Sequence, residues 1–225
     1  PVALPPRIEA VTTTRAGGFS HGRYASFNLA YHVGDDPQNV KMNRALLRQV
    51  LALPSEPLWL KQVHSDRIAN SGEADASYTC IAGDVLCIQS ADCLPILIWD
   101  KSGREIAAIH VGWRGLISAI IKNSIEKFES GDLTAWIGPH IQACHYEVDA
   151  EVHDRFSRYP ESFLLGRDPS HWQFDLAAVA SLQLQEAGVE SVIQSESCTA
   201  CDRDSFFSYR RDGLCGRMAT LIWMN

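Results

Sequence analysis

The segment QSADCLPILIWDKSGREIAAIHVGWRG, residues 89–115, contains two apolar runs, LPILIWD and EIAAIHVGW, joined by the turn KSGR. Short apolar runs bounded by turn residues are typical of strands that are buried on both faces. Each run also carries one reactive side chain, Cys93 at the start of the first and His110 near the end of the second. The segment therefore predicts two buried strands whose ends hold residues capable of chemistry.

The same alternation of strands and helices extends over the whole chain of 225 residues. Strands are predicted in RIEAVTTTR, LWLKQVHSDRI, DVLCIQS, LTAWIGP, SVIQS and GRMATLIWMN, and helices in DDPQNVKMNRALLRQVLAL, GLISAIIKNSIEKF, DAEVHDRFSRY and FDLAAVASLQLQEAG. Interleaved strands and helices without a linker-like stretch predict one α+β (mixed α/β) domain, residues 1–225, in which sheets and helices form layers.

Composition and charge restrict the classes of partner. The formal net charge of −7 argues against a broad surface for nucleic acid. We expect no membrane segment, since no stretch approaches the roughly 20 apolar residues that a spanning helix needs, and we see no signal peptide pattern at the start. Seven cysteines at irregular spacings favour free thiols in a reducing compartment, so we expect a cytoplasmic protein.

Three residues are candidates for a catalytic centre: His64 in LKQVHSD, Cys93 in SADCLP and His110 in IAAIHVGWRG. Three well-separated nitrogen and sulfur ligands with one open position are typical of a catalytic zinc site, and copper accepts the same ligands. Without a metal, Cys93 and His110 are instead a thiolate–imidazole pair for nucleophilic catalysis, with Asp92 as the residue that orients the imidazole or a water. The spacing leaves both interpretations open.

Other polar groups give weaker signals. Arg15 and the glycines after it form a loop suited to an anion, and Arg114 adds a positive charge after His110. Asn43 reads as part of a solvated helix face, and Arg210 stands beside the aromatic residues of FFSYRRDG. The CxxC of CTAC, residues 198–201, lacks a second CxxC and is interpreted as incidental, and we interpret the group His140, Cys144 and His145 as structural.

Eight blocks of the chain together resemble the YfiH family, also described as a multicopper polyphenol oxidase or laccase-domain family and as purine nucleoside phosphorylases. These blocks, in order, are TTTRAGGFS, HVGDDPQNVKMNR, WLKQVHSD, SADCLPILIWD, AAIHVGWRGL, WIGPHI, YEV and CTACDRDSFFSYRRDGLCGRMATLIW. The resemblance covers nearly the whole chain and implies a single domain with α/β/β/α layers.

The resemblance also implies a function. It implies one metal, zinc or copper, held by His64, Cys93 and His110. It implies phosphorolysis of adenosine, inosine, guanosine and methylthioadenosine, with adenosine deaminase activity in addition.

We expect Arg15, Asn43, Gln62 and Arg210 to bind the nucleoside or phosphate, and Asp92 to carry a proton. The expected partners are a purine nucleoside and phosphate, and the expected state is a monomer or a small homo-oligomer. Two alternatives remain: a metal-free cysteine hydrolase using Cys93 and His110, with a cell-wall precursor as one substrate, and a copper-dependent phenol oxidase.

Overall fold

Two β-sheets lie face to face, and helices cover their outer faces, in the computed structural model, which describes residues 3–166 and 168–225. From one side to the other the layers are helix, sheet, sheet and helix. The predicted mixed α/β class and its α/β/β/α layering are therefore confirmed.

The strands and helices are short, and most agree with the sequence pattern. The strands are β1 Ile8–Thr12, β2 Leu58–Trp59, β3 Ala76–Thr79, β4 Val85–Ser90, β5 Leu94–Asp100, β6 Ile106–Val111, β7 Leu133–Ile137, β8 Glu147–Val148, β9 Phe163–Leu165, β10 Trp172–Phe174, β11 Ser191–Gln194 and β12 Met218–Met224. The α-helices are α1 Pro37–Val50, α2 Trp113–Ile117, α3 Ile120–Ile125, α4 Ala150–Arg155, α5 Leu176–Glu186 and α6 Tyr209–Asp212.

Both large sheets combine parallel and antiparallel pairs. The order β1-β12-β4-β2 forms one sheet and β11-β7-β5-β6-β3 the other, and β8, β10 and β9 form a small third sheet. Strand β2 is parallel to β4 and β11 is parallel to β7, whereas the other pairs of the two large sheets are antiparallel.

The opening segment folds into the β5–β6 hairpin at the centre of the larger sheet. Its register sets Leu94 opposite Val111 and Pro95 opposite His110. Cys93, which directly precedes Leu94, is thereby brought to the end of the hairpin where His110 lies. Cys93 and His110 are separated in the sequence by β5 and the turn after it. The pairing of β5 with β6 makes them neighbours.

Every residue of β4, β5 and β6 is buried, because each of these strands has an apolar layer on both faces. On β5, Leu97 and Trp99 pack between the two large sheets, while Ile96 and Ile98 pack against the helices that cover the other face. The ends of these strands are therefore held rigidly by packing over both faces of the sheet.

The sequence prediction lacks the short strands β3, β8, β9 and β10 and the helix α6, and two of the predicted segments change direction in the structure. The strand predicted for LWLKQVHSDRI ends at Trp59, and the chain then enters a loop in which His64 has a left-handed backbone (φ 58°). The helix predicted for GLISAIIKNSIEKF is divided into α2 and α3 at Ala119, whose φ is 62°. Apolar spacing alone does not reveal either change of direction.

Within the described residues, none of the helices is both long enough and apolar enough to cross a bilayer.

The first helix, α1, agrees with its predicted start: Asp36 caps it by accepting a hydrogen bond from the Gln38 amide, and Pro37 occupies the first turn.

Replacement of Ile98 by alanine should destabilise the protein by about 2–5 kcal/mol, because it leaves a cavity in a fully buried layer. Ile81→Ala is the matched control, since this isoleucine is 63% exposed and should change stability by less than about 0.5 kcal/mol. Urea unfolding at pH 7 measures both. Equal losses for the two variants would contradict the burial of Ile98 between the sheet and its helices.

Candidate active site

His64, Cys93 and His110 lie together, although they come from three separate segments. Their ligand atoms are all within 4.8 Å of one another. His64 belongs to the loop after β2, Cys93 to the bend between β4 and β5, and His110 to the end of β6. The structure therefore brings together the three residues proposed as metal ligands, one of them exposed, one half-buried and one buried.

A buried carboxylate, Asp75, holds two of these three residues. One oxygen accepts hydrogen bonds from the His64 amide at 3.0 Å and from Nδ1 of the His110 ring at 2.9 Å. The other accepts from the amides of Val63 and Ser65 at 3.1 and 2.7 Å, and from the Ser65 hydroxyl at 2.8 Å. The loop that carries His64 is therefore folded around this one side chain.

The backbone of Asp75 also contributes, because its carbonyl oxygen accepts a hydrogen bond from the His110 amide at 2.7 Å. The proton on His110 Nδ1 is directed at the carboxylate, so Nε2 is the nitrogen left to face Cys93 and His64. An outer carboxylate that fixes ring orientation in this way is common behind histidines that bind metals.

The charges of these groups depend on one another. Burial acts to lower the pKa of His110, but the neighbouring Cys93 and the hydrogen bond to Asp75 outweigh it and raise that pKa to about 9. Desolvation and repulsion from His110 lower the pKa of His64 to about 4. Burial acts to raise the pKa of Asp75, but hydrogen bonds from His110 and Ser65 outweigh it and lower that pKa well below its usual value. Without a metal, His110 is thus a cation paired with the Asp75 carboxylate at neutral pH.

Gly112 leaves room for the side chains of His64 and Cys93. A β-carbon at this position would lie 3.0 Å from His64 Nδ1 and 3.2 Å from Cys93 Sγ. The absence of a side chain here keeps the region between the two ligand atoms free.

The three residues open onto a cavity of about 370 Å³, a size within the usual range for small-molecule sites. Its wall carries three arginines, Arg114, Arg210 and Arg217. In a chain with a net charge of −7, such a concentration of cations marks a place for an anion.

Aromatic and amide side chains complete the wall of this cavity. The lining includes His32, Gln62, Gln89, Trp113, Tyr146 and Tyr209. Burial raises the pKa of Tyr146, which keeps its phenol neutral. The guanidinium of Arg210 lies 5.1 Å from the centre of the Tyr146 ring, and that of Arg114 lies 4.1 Å from the Trp113 ring.

Of the predicted substrate-binding residues, Gln62 and Arg210 line this cavity. The Gln62 amide pairs with the backbone of Gln89, donating to its carbonyl and accepting from its N–H, both at 2.8 Å. Arg210 donates from Nη1 to the carbonyls of Glu147 at 2.7 Å and His145 at 3.3 Å. Both side chains are therefore fixed in place before any ligand arrives.

Arg15 and Asn43 lie outside the cavity, so the structure does not support the substrate role predicted for them. Asn43 is fully buried, accepts from the Phe19 amide at 2.7 Å and donates to the Asn28 carbonyl at 2.8 Å, which secures the preceding loop. The guanidinium of Arg15 lies over the Phe207 ring at 4.7 Å. Arg15 also borders a separate surface depression.

Asp92 lines the cavity, but both of its oxygens are engaged. Thr199 donates to one from its hydroxyl at 2.7 Å, and the Arg210 amide donates to the other at 2.6 Å. Its φ of 103° is unusual for a residue with a side chain. The geometry suits a residue that positions the backbone of Arg210 better than one that carries a proton.

Sequence reasoning missed Asp75, Tyr146 and Arg217 as parts of the site. Asp75 stands in EADAS between small residues, a context with no recognisable motif. Its donors include three consecutive loop amides and a ring 35 positions away, and only the folded chain brings these together.

Comparisons with known proteins agree over nearly the full chain. A sequence model of the family described as multi-copper polyphenol oxidoreductase laccase matches residues 9–225. The purine nucleoside phosphorylase of Haemophilus influenzae is 39% identical, with 98% of this chain and 96% of that protein covered. The purine nucleoside phosphorylase YfiH of Escherichia coli K12 is 38% identical, with 98% and 95% covered.

Solved structures share the fold. Protein NMB0706 of Neisseria meningitidis superposes with a TM-score of 0.93 at 39% identity, covering 98% of this chain and 96% of that one. YlmD of Geobacillus stearothermophilus gives a TM-score of 0.91 at 33% identity, with 98% and 93% covered.

Gly112→Ala should weaken metal binding by at least about tenfold, because the new methyl group displaces His64 or Cys93 without removing either. Gly131→Ala is the control, since a β-carbon there meets no atom within 4 Å. Zinc affinity is measured by competition with a chromogenic chelator. Identical affinities for both variants and the wild type would show that the space at Gly112 is unimportant.

In the metal-free protein, an NMR titration of the His110 ring should give a midpoint of about 9. Asp75→Asn should lower that midpoint, since it removes the carboxylate that favours the charged ring. Because the folded pKa lies above the unfolded value, His110 stabilises the fold below about pH 6.5, and this contribution is lost as the pH rises through about 9.

Zinc should displace the proton on His110 Nε2, so the ring should no longer titrate near pH 9 in the loaded protein. Metal affinity should therefore fall as the pH is lowered from 9 to 6. A wild-type midpoint near the ordinary value for histidine would contradict the assigned pairing.

Proposed function

The chain belongs to the YfiH family, described as multi-copper polyphenol oxidoreductase laccase, and on that basis we propose that it is a metal-dependent purine nucleoside phosphorylase. Its substrates are proposed to be adenosine, inosine, guanosine or methylthioadenosine together with phosphate, and it is proposed to deaminate adenosine as well. The observation that carries the proposal is the group His64, Cys93 and His110 at the wall of a cavity lined by three arginines.

The donor set fits a catalytic metal site. Two imidazoles and one thiolate converge, Asp75 fixes the orientation of one imidazole, and the fourth side opens to the cavity. Catalytic zinc sites keep such an open position, and the same ligands accept copper. We propose zinc; when bound, it supplies a Lewis acid at the wall of the cavity.

Phosphate recognition is assigned to the arginines of the cavity. Phosphate is a dianion or monoanion at neutral pH, and guanidinium groups hold it by paired hydrogen bonds. Arg210 is held by backbone carbonyls at its Nη1 and by the contact of its amide with Asp92. Asp92 is therefore proposed to orient Arg210 and not to transfer a proton.

Recognition of the purine is assigned to the aromatic wall. Tyr146, Tyr209 and Trp113 offer flat faces beside polar amides, a combination that suits a planar heterocycle. Phosphorolysis develops positive charge on the sugar, so an enzyme that holds the phosphate anion next to it lowers the barrier by positioning and electrostatics. Tyr146 keeps its proton and can donate a hydrogen bond to the base.

One observation favours a second candidate, a metal-free cysteine hydrolase. His110 lies between Asp75 and Cys93, which is the order of groups in a nucleophile–base–acid triad. This alternative does not require His64. The role of His64 therefore distinguishes the two candidates.

Purified wild-type protein should contain zinc and should release adenine from adenosine only when phosphate is present. His64→Ala and Cys93→Ala should each lower the rate by at least about 100-fold, because each removes a metal ligand. Chromatography of adenine and inosine separates phosphorolysis from deamination. Cys80→Ala, at an exposed cysteine outside the cluster, is the control.

Thermal unfolding of each variant confirms that it is folded. If His64→Ala releases adenine with phosphate at the wild-type rate, dependence on a metal held by His64 is contradicted. Hydrolysis of a cell-wall precursor that His64→Ala retains and Cys93→Ala loses would favour the cysteine hydrolase. If the zinc-loaded wild type leaves adenosine intact in the presence of phosphate, the proposed reaction is excluded.

A further inference from the structure

A second group of metal-ligating side chains lies outside the candidate active site, where residues 144–145 meet the CTAC segment. Cys144, His145, Cys198 and Cys201 each offer one ligand atom, and the four atoms all lie within 4.8 Å of one another. In the sequence these residues form two separate groups, because no local spacing connects Cys144 with Cys198. The fold joins the two groups.

The two sulfur–sulfur separations from Cys144 match the edge of a tetrahedral zinc site. Cys144 Sγ lies 3.8 Å from Cys198 Sγ and 3.6 Å from Cys201 Sγ. With Zn–S bonds of about 2.3 Å, tetrahedral geometry requires sulfur–sulfur distances of about 3.8 Å. A disulfide instead requires about 2.05 Å.

The imidazole occupies the remaining corner. His145 Nδ1 lies 3.2 Å from Cys144 Sγ and 3.3 Å from Cys201 Sγ. A Zn–N bond of about 2.0 Å gives a nitrogen–sulfur edge of about 3.5 Å, so these two edges lie within a few tenths of an ångström of the tetrahedral value. Adjacent ligands in the chain can both reach the ion here, because the His145 ring turns toward the two thiols.

Backbone hydrogen bonds hold together the two segments that carry these four side chains. His140 and Cys198 form a parallel bridge, and the Thr199 amide donates to the His140 carbonyl at 2.9 Å. The Gln142 amide points at Cys198 Sγ at 3.5 Å. Amide groups directed at a thiolate are the outer contacts that support bound metals.

We propose that Cys144, His145, Cys198 and Cys201 bind one zinc ion as a closed, four-ligand site. Three thiolates and one imidazole leave no position for a substrate, which is the composition of a structural zinc site. Cys198 is buried, whereas the other three are exposed, so an ion can enter from solvent.

This ion would join two segments that form one side of the catalytic cavity. Cys144 and His145 precede Tyr146, which lines the cavity, and the His145 carbonyl accepts from Arg210. Thr199, between Cys198 and Cys201, donates to Asp92. A zinc ion at this site would therefore stabilise the segments that position Arg210 and Tyr146. This role does not depend on which reaction takes place in the cavity.

The test is zinc stoichiometry under reducing conditions, measured by mass spectrometry after the protein is reloaded with zinc and desalted. The wild type should hold two zinc ions per chain, and Cys201→Ser and His145→Ala should each hold one. Cys80→Ser is the matched control, because Cys80 is exposed and lies in neither cluster, and it should hold two. His64→Ala should hold one, and adding Cys201→Ser to it should leave none.

Cobalt substitution in the His64→Ala background supplies a second readout. It should give a tetrahedral spectrum with the intense thiolate charge-transfer bands of a three-sulfur site. Zinc removal in that background should also lower the unfolding temperature, and Cys201→Ser should abolish this difference.

The outcomes separate this site from the proposed function. A wild type with one zinc that Cys201→Ser removes and His64→Ala retains supports this site while contradicting the catalytic metal. A wild type with one zinc that His64→Ala removes and Cys201→Ser retains overturns the inference. A disulfide between Cys144 and Cys201 in protein purified with reductant, detected by peptide mapping after denaturation and alkylation, overturns it as well, since a disulfide would then take the place of the ion.

Discussion

The candidate active site depends on one buried carboxylate. Asp75 is inaccessible to solvent and satisfies its oxygens with loop amides, a hydroxyl and the His110 ring. A buried carboxylate is costly unless it is paired and hydrogen-bonded, so the loop around it has few alternatives to the observed conformation. The left-handed backbone of His64 is part of that conformation, and the hydrogen bonds to Asp75 offset its cost. Hydrogen bonds to the Asp75 carboxylate thus fix the position of His64 in the cluster.

The sheets determine the remaining geometry. Because β4, β5 and β6 are buried on both faces, their ends cannot shift without disturbing two apolar layers. Cys93 and His110 are placed at such ends by the pairing of Pro95 with His110. Reactive residues at the ends of a rigid scaffold can be reached by solvent while their separation stays fixed.

Part of the fold and part of the candidate site could be predicted from the sequence, and there are physical reasons why the rest could not. Continuous apolar runs revealed the central strands, and the family resemblance indicated His64, Cys93 and His110 as one set. Asp75 was not predictable, because its role depends on backbone amides, which every residue has. Asn43 was misread as part of a solvated face because sequence does not show the adjacent loop that buries it. The break between α2 and α3 at Ala119 could not be predicted either, because the apolar spacing continues across it.

The two clusters of ligand atoms differ in how they relate to folding. His64, Cys93 and His110 are far apart in the chain and meet only once the hairpin has paired and the Asp75 loop has closed, so an unfolded chain offers no chelate with their geometry. Cys198 and Cys201, by contrast, are three residues apart in a CxxC, so this pair is a ready chelate in the unfolded chain. A metal that binds only the native form adds its full binding free energy to stability, whereas one that also binds the denatured chain adds less. Binding of a metal by His64, Cys93 and His110 would therefore require complete folding, whereas the CxxC half of the proposed four-ligand site would be available before the fold joins it to Cys144 and His145.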